Sequence, residues 1–271
     1  MVGRIFYIFG GRIAGSKRSG ELFALDTATM HWSKVRTGGS LPCGREFHTC
    51  TAFGGELFVY GGWDGVRWLS DCFAYNIERN EWRQLNPRIS PPARSGHCAQ
   101  VIADGSTGRY CVCVVGGGGG GHGTYLNDVW MLDPSYEWRR SLVSGSIMSR
   151  SGHSASVMCT VQSIALYTYV VARTTIAVIG GHGIESRLFG LRGREVYFND
   201  VHLFDSQTQH WTTAQVSGAT FTARAYHSCV SVDGVAIIFG GWNGNETFGD
   251  LMTLEPGKCF IGLAMIVTFC Q

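Results

Sequence analysis

Five times along this chain an apolar run ends in a pair of glycines: "IFYIFGG" (5–11), "LFVYGG" (57–62), "VCVVGG" (112–117), "IAVIGG" (176–181) and "AIIFGG" (236–241). The pairs begin at Gly10, Gly61, Gly116, Gly180 and Gly240, in steps of 51, 55, 64 and 60 residues. The partners are Gly11, Gly62, Gly117, Gly181 and Gly241. A fixed period of this size marks repeated supersecondary units that bury their faces against one another.

Three more landmarks keep step. An acidic residue opens a second apolar run after each pair: "ELFALD" (21–26), "DCFAYN" (71–76), "DVWMLD" (128–133), "DVHLFD" (200–205) and "DLMTLE" (250–255). A tryptophan follows four of these, at Trp32, Trp82, Trp138 and Trp211. R-x-x-H precedes four of the glycine pairs: Arg45/His48, Arg94/His97, Arg150/His153 and Arg224/His227.

The repeat disposes of a tempting alternative. "VVGGGGGGHG" (114–123) satisfies a dinucleotide-binding spacing at Gly116, Gly118 and Gly121. A phosphate cradle needs a helix next, so that N–H groups and the helix dipole converge on the anion. Residues 122–132 leave no room for one before Asp133-Pro134, and no P-loop lysine follows. The run is one enlarged copy of the structural doublet.

Each unit holds four short runs rich in Val, Ile, Phe, Tyr and Trp, with no helical periodicity over 11 or more residues. That predicts four-stranded antiparallel meanders, arranged radially so that each sheet covers its neighbours. The glycine pairs allow positive φ and close backbone approach. The recurring Asp is expected to satisfy turn N–H groups, and the Trp to cover the neighbouring sheet with its indole N–H on an acceptor.

The order R-x-x-H, apolar-Gly-Gly, D-apolar-D, Trp resembles the kelch repeat over residues 5–255. The resemblance implies an all-β fold, a kelch-type β-propeller of about five four-stranded units with the first and last incomplete. The units run approximately 1–40, 41–90, 91–145, 146–217 and 218–257, and 258–271 is an apolar tail. Unit one lacks the R-x-x-H strand and unit five lacks the Trp strand. The tail "CFIGLAMIVTFC" is a candidate for that fourth strand. Unit four is swollen, with 27 residues from His153 to Gly180 against 13 from His48 to Gly61, and the excess contains "VQSIALYTYVVARTT" (161–175). Insert and tail each read two ways, as partner-docking elements or as translated non-coding sequence.

Composition narrows the function classes. With 271 residues and 45% hydrophobic content the chain can bury a sizeable core. A formal charge of +2 does not by itself imply nucleic acid. None of the ten cysteines forms C-x-x-C, which argues for reduced, buried thiols rather than zinc or redox chemistry. The N-terminus lacks a signal-peptide plan, and the tail's 12 apolar residues fall short of the ~20 that span a bilayer. A cytoplasmic protein is expected.

The site chemistry is sparse. The four R-x-x-H histidines read as structural, and no H-x-H or H-E-x-x-H brings two ligands onto one element, so no metal or cofactor is expected. "RSGHS" (150–154) is not a nucleophile elbow. Galactose oxidase and sugar-epimerising kelch proteins make a kelch-fold enzyme the alternative. Sorted by loop, charge separates. The unit-to-unit segments 33–48, 83–97, 139–153 and 212–227 are almost wholly basic, Arg83 and Arg139 among them. The opposite turns are acidic, with Glu56 and Asp104 among them. The expected binding face therefore carries Arg12, Lys17, Arg18, Trp63, Arg67, Trp68, His122, Tyr125, His182, Arg187, Arg192, Arg194 and Trp242. Arginine and aromatics in loops fit a protein partner with an acidic segment. By resemblance the chain is a non-catalytic scaffold or adaptor, or the substrate-recognition part of a ubiquitin ligase. Membrane and nucleic-acid partners are not expected.

Overall fold

The structure, a computed structural model, describes residues 1–121, 123–160, 173–185, 193–218, 221–256 and 264–269. They form a five-bladed β-propeller. Blade one is β1 (Ile5–Phe9), β2 (Leu22–Asp26) and β3 (His31–Val35). Blade two opens with the short β4 (Gly38–Gly39) and contains β5 (Thr49–Phe53), β6 (Glu56–Tyr60), β7 (Cys72–Asn76) and β8 (Glu81–Leu85). Blade three is β9 (Cys98–Ala103), β10 (Tyr110–Gly118), β11 (Tyr125–Leu132) and β12 (Trp138–Arg140). Blade four is β13 (Ser154–Thr160), β14 (Arg173–Ile179), β17 (Val201–Asp205) and β18 (His210–Thr213), with a hairpin of β15 (His182–Glu185) and β16 (Arg194–Tyr197). Blade five has β19 (Gln215–Gly218), β20 (Ser228–Val232), β21 (Val235–Phe239), β22 (Leu251–Pro256) and β23 (Ala264–Phe269). Each blade is an antiparallel meander in sequence order, and β4 and β19 add parallel to the outer strands β8 and β23.

The six glycines end a strand and begin a turn. β10 runs through Gly118, which pairs with Tyr125. The register shifts between Val115 and Gly117. The hexaglycine run thus serves a widened bulge rather than an anion cradle. The tail's β23 takes the fourth position of blade five, Met252 opposite Phe269 and Thr253 opposite Thr268. Most of the 161–175 insert, residues 161–172, lies outside the described residues, as do 186–192 in the second enlargement.

The blades are wired together by the repeated landmarks. Every R-x-x-H arginine is fully buried. Arg94 donates to both oxygens of Asp128 (2.7 and 2.9 Å) and to the carbonyl of Gly116 (2.9 Å). Arg45, Arg150 and Arg224 repeat this with Asp71 and Gly61, Asp200 and Gly180, and Asp250 and Gly240. Their side chains thus knit their own blade, whereas their backbones reach the preceding one. The N–H groups of Gly11, Gly62, Gly117 and Gly181 donate at 2.8 Å to the carbonyls of Arg45, Arg94, Arg150 and Arg224. In units two to five the acidic residue opening the D-apolar-D run therefore takes an arginine, and in units one to four the residue closing it caps the turn. Asp133 Oδ1 accepts from the Ser135 N–H and Asp205 Oδ1 from the Gln207 N–H, both at 2.8 Å.

Four hydrophobic clusters join blades one to two, two to three, three to four and four to five. Among the described residues none joins five to one. Trp82, Trp138 and Trp211 each pack on the preceding blade, as Trp138 does on Tyr60 at 5.1 Å between ring centroids. Two indole N–H groups depart from expectation. Trp138 faces the Cys72 thiol, and Trp211 meets no acceptor, because the apolar neighbour sheet offers none. Trp32, with no preceding blade to cover, is 46% exposed. Trp211→Ala should therefore cost about 3–5 kcal/mol, and Trp32→Ala less than about 1 kcal/mol. Urea unfolding of the two variants checks the contrast.

Candidate functional site

The segments entering β5, β9, β13 and β20 converge on the propeller axis. The third residue of each R-x-x-H motif sits there in the left-handed region: Phe47, Gly96, Gly152 and Tyr226, with φ of 56°, 61°, 63° and 60°. Their backbones form a chain of hydrogen bonds around the axis. Gly96 N–H donates to the Phe47 carbonyl (2.8 Å), Gly152 N–H to that of Gly96 (2.8 Å) and Tyr226 N–H to that of Gly152 (2.6 Å). The two large side chains then meet, the Phe47 and Tyr226 rings lying 5.7 Å apart.

Around this point lies a polar–aromatic cup. His182 is buried. Its Nε2 lies 2.8 Å from the Tyr226 hydroxyl, and its Nδ1 lies 2.7 Å from Glu195 Oε1 and 3.4 Å from the Tyr125 hydroxyl. Tyr197 stacks on the ring at 5.8 Å. Burial pulls the His182 pKa down, more than Glu195 raises it. A neutral ring that donates from Nδ1 and accepts at Nε2 satisfies every partner. Burial also pushes Tyr226 up to about 12, so it stays a hydroxyl donor.

The residues expected on the binding face fall into two groups on one side of the propeller. Between blades one and two, Arg18 pairs with Glu46 (2.7 Å). Trp63 and Trp68 meet at 4.7 Å. Arg67 stays 77% exposed, 3.4 Å from Asp64. Arg12 reaches Ser16 and Lys17 is exposed. Among blades three to five, Tyr125 and His182 come together in the cup, and Trp242 bonds Tyr197 and bridges Ala225. Arg194 is exposed beside Glu195. His122, Arg187 and Arg192 lie outside the described residues.

The expected charge separation needs correction. Arg83 pairs with Glu56 (2.5 Å) and Arg139 with Asp104 (2.8 Å), so both arginines belong to the face of the acidic turns. Each leaves the middle of its strand, Glu81–Leu85 and Trp138–Arg140, and its side chain reaches back to that end of the blade. Arg45, Arg94, Arg150 and Arg224 contribute nothing to either face, being buried as ties within and between blades, the role their recurrence in every R-x-x-H motif leads one to expect. The basic character that remains rests on Arg12, Lys17, Arg67 and Arg194, among others. Phe47, Tyr197, Glu195 and Tyr226 are the members of the site that sequence reasoning missed. The signal for Phe47 and Tyr226 was the third position of the motif, glycine in two copies and a large aromatic in the other two.

Two concavities open among the described residues. A cavity of about 220 Å³ between blades four and five is lined by Ile179, Asn199, Asp200, Phe221 and Leu254, and its Asp200 is engaged by Arg150. A shallower one of about 730 Å³ opens on the opposite face, lined by Phe53, Val101, Tyr110 and Tyr136. Among the described residues no three His, Cys, Asp or Glu side chains are placed to hold a metal, and no helix is long and apolar enough to cross a membrane.

A family model described as the KLHDC2/KLHL20/DRC7 Kelch-repeats domain matches residues 1–169. The chain is 29% identical to Adagio-like protein 3 of Oryza sativa subsp. japonica, over 95% of this chain and 39% of that protein. It is 26% identical to host cell factor of Drosophila melanogaster, over 94% and 18%. It is 24% identical to Kelch domain-containing protein 3 of Homo sapiens, over 94% and 66%. The chain thus spans well under two thirds of the plant and fly relatives. A solved structure described as "Structure of YjhT" superposes with a TM-score of 0.70 at 14% identity, over 99% of this chain and 82% of that one, which speaks for the fold alone.

Proposed function

This chain belongs to the kelch-repeat family, and on that footing we propose that it is a non-catalytic scaffold or adaptor that holds another protein on its loop face. The observation that carries the reading is the axial cup. Phe47 and Tyr226 are half-exposed aromatics in the left-handed region, a conformation that costs non-glycine residues about 1–2 kcal/mol. Strain of this kind persists where a site uses it. Aromatics on a rigid base, flanked by exposed arginine, are the residue types that dominate binding hot spots. Arg67 and Arg194, exposed on the same loop face, favour an acidic segment on the partner. The compartment proposed is the cytoplasm.

The test is affinity capture with the intact chain, followed by purification of the captured partner and titration. Phe47→Ala and Arg67→Glu should each weaken the purified complex at least tenfold and leave thermal melting unchanged. Equal affinity of all three chains would refute the loop-face reading. Loss on Tyr110→Ala instead would move the site to the opposite face.

A further inference from the structure

Four junctions between blades are filled in the same way, and among the described residues the fifth has both halves of the arrangement but no strand between them. At each filled junction the second glycine donates to the next arginine's carbonyl, and that arginine's N–H donates back, as Arg94 does to Leu69 and Arg224 to Phe198. At the three junctions with a preceding histidine, the histidine Nε2 then meets the residue that follows that preceding one. His97 reaches Thr49 (2.9 Å), His153 reaches Cys98 (3.1 Å) and His227 reaches Ser154 (2.8 Å).

Blade five presents the first half of this arrangement, and no described residue occupies it. Gly240 and Gly241 hold the same backbone conformation as the other pairs, φ 72° and 113°. Phe248 N–H bonds the Gly241 carbonyl, as Leu69 does Gly62. Added side-chain carbons at Gly61, Gly116 and Gly180 would run into the next unit's arginine carbonyl and histidine ring. At Gly240 the nearest atom is the blade's own Phe248 carbonyl at 3.4 Å. Among the described residues nothing accepts from the Gly241 N–H, and Ser228, the residue after His227, is exposed.

Blade one presents the second half. β1 is an edge strand, where the other glycine-pair strands have an inner neighbour. Gly10 N–H bonds the Glu21 carbonyl just as Gly61 N–H bonds that of Asp71, so Glu21 occupies the arginine-binding register. Its carboxylate has only the exposed Lys34. Apolar side chains flank the gap on both sides and stay about half exposed: Ile8 and Trp32 on blade one, Val230, Val232 and Phe239 on blade five.

We propose that the cleft between blades five and one is a seat for a single extended peptide strand led by Arg-x-x-His, contributed by another polypeptide segment. Its arginine side chain binds Glu21 and the Gly10 carbonyl. Its arginine backbone takes the Gly241 N–H and the Phe248 carbonyl. Its histidine bonds Ser228, and the strand after it adds to the edge of β1 by β-augmentation. A second folded copy is a poor occupant, because its own four arginines are buried.

The test titrates the full chain with a labelled decapeptide of the sequence of residues 94–103 carrying Cys98→Ser. Saturable binding is expected, with a melting-temperature rise and slowed exchange of the Gly241 amide. Arg94→Ala in the peptide should weaken binding at least tenfold. Glu21→Gln in the chain should weaken the parent peptide similarly and the Arg94→Ala peptide no further. No binding, binding indifferent to Arg94→Ala, or independent additive losses would overturn the proposal. So would a dimer of the chain, seen by sedimentation, that the peptide fails to dissociate.

Discussion

Arg150→Ala is expected to cost about 3–5 kcal/mol, because truncation strands buried charge and acceptors. Domains of this kind hold only about 5–15 kcal/mol in total. The guanidinium is inaccessible to solvent and spends its donors on Asp200 (2.6 and 2.9 Å), the Gly180 carbonyl (2.8 Å) and the Met148 carbonyl (3.1 Å), while lying 4.4 Å from the Phe198 ring centroid. Arg150 and His202 together hold Asp200 well below the usual carboxylate range. Alanine removes all of this and leaves a cavity at the junction of blades three and four. Lysine should not rescue, since one ammonium cannot match the planar fork. Arg67→Ala, at a largely exposed position, should change stability by no more than about 0.5 kcal/mol. Urea unfolding of the three variants decides the matter. Equal stability of Arg150→Ala and Arg67→Ala would mean that the buried arginines do not hold the blades.

Acid should unfold this chain early. Burial, reinforced by Arg45, Arg150 and Arg224, pulls His48 and His227 down to about 4 and His153 to about 3. The carbonyls of Phe9, Ile179 and Val115 oppose the shift without reversing it. His97 lies well below its ordinary value for the same reason, burial. A group whose folded pKa is depressed takes up protons more readily when unfolded. Its stabilisation is complete above pH 6.5 and is lost as the pH falls through the folded value. A shift from 6.5 to 4 corresponds to about 3 kcal/mol per histidine. Two or three such groups match a domain's whole stability, so the acid midpoint should fall between about pH 4 and 6. Circular dichroism against pH measures it. Stability that stays level from pH 6.5 to 4 would show that these rings charge freely.

The fold was legible because its repeating contacts are made by residue types that nothing else replaces. Only glycine tolerates the next unit's backbone at Gly61 and Gly180, and only arginine spans a carboxylate and two carbonyls. Such positions recur in fixed order and can be counted from sequence. The site was less legible, because it depends on depth and angle. Arg83 and Arg139 were placed on the wrong face because segment boundaries do not say how far along a strand a residue lies. Glu195 and Tyr197 were missed because the β15–β16 hairpin enlarges a loop that other units close with a single bridge, as Trp63 with Trp68 and Trp242 with Thr247. His182 was expected at the mouth, but not its burial beneath three tyrosines.

The bond chain about the axis runs through N–H and C=O groups alone. What those four positions display is therefore separable from what they support. Glycine at two of them leaves the mouth bare, and phenylalanine and tyrosine at the others furnish it, while the wiring beneath is the same. A lineage can redraw the surface it offers to partners by exchanging residues at these points, with no revision of the scaffold. Inherited shape and acquired preference are thus written in different atoms of the same four residues.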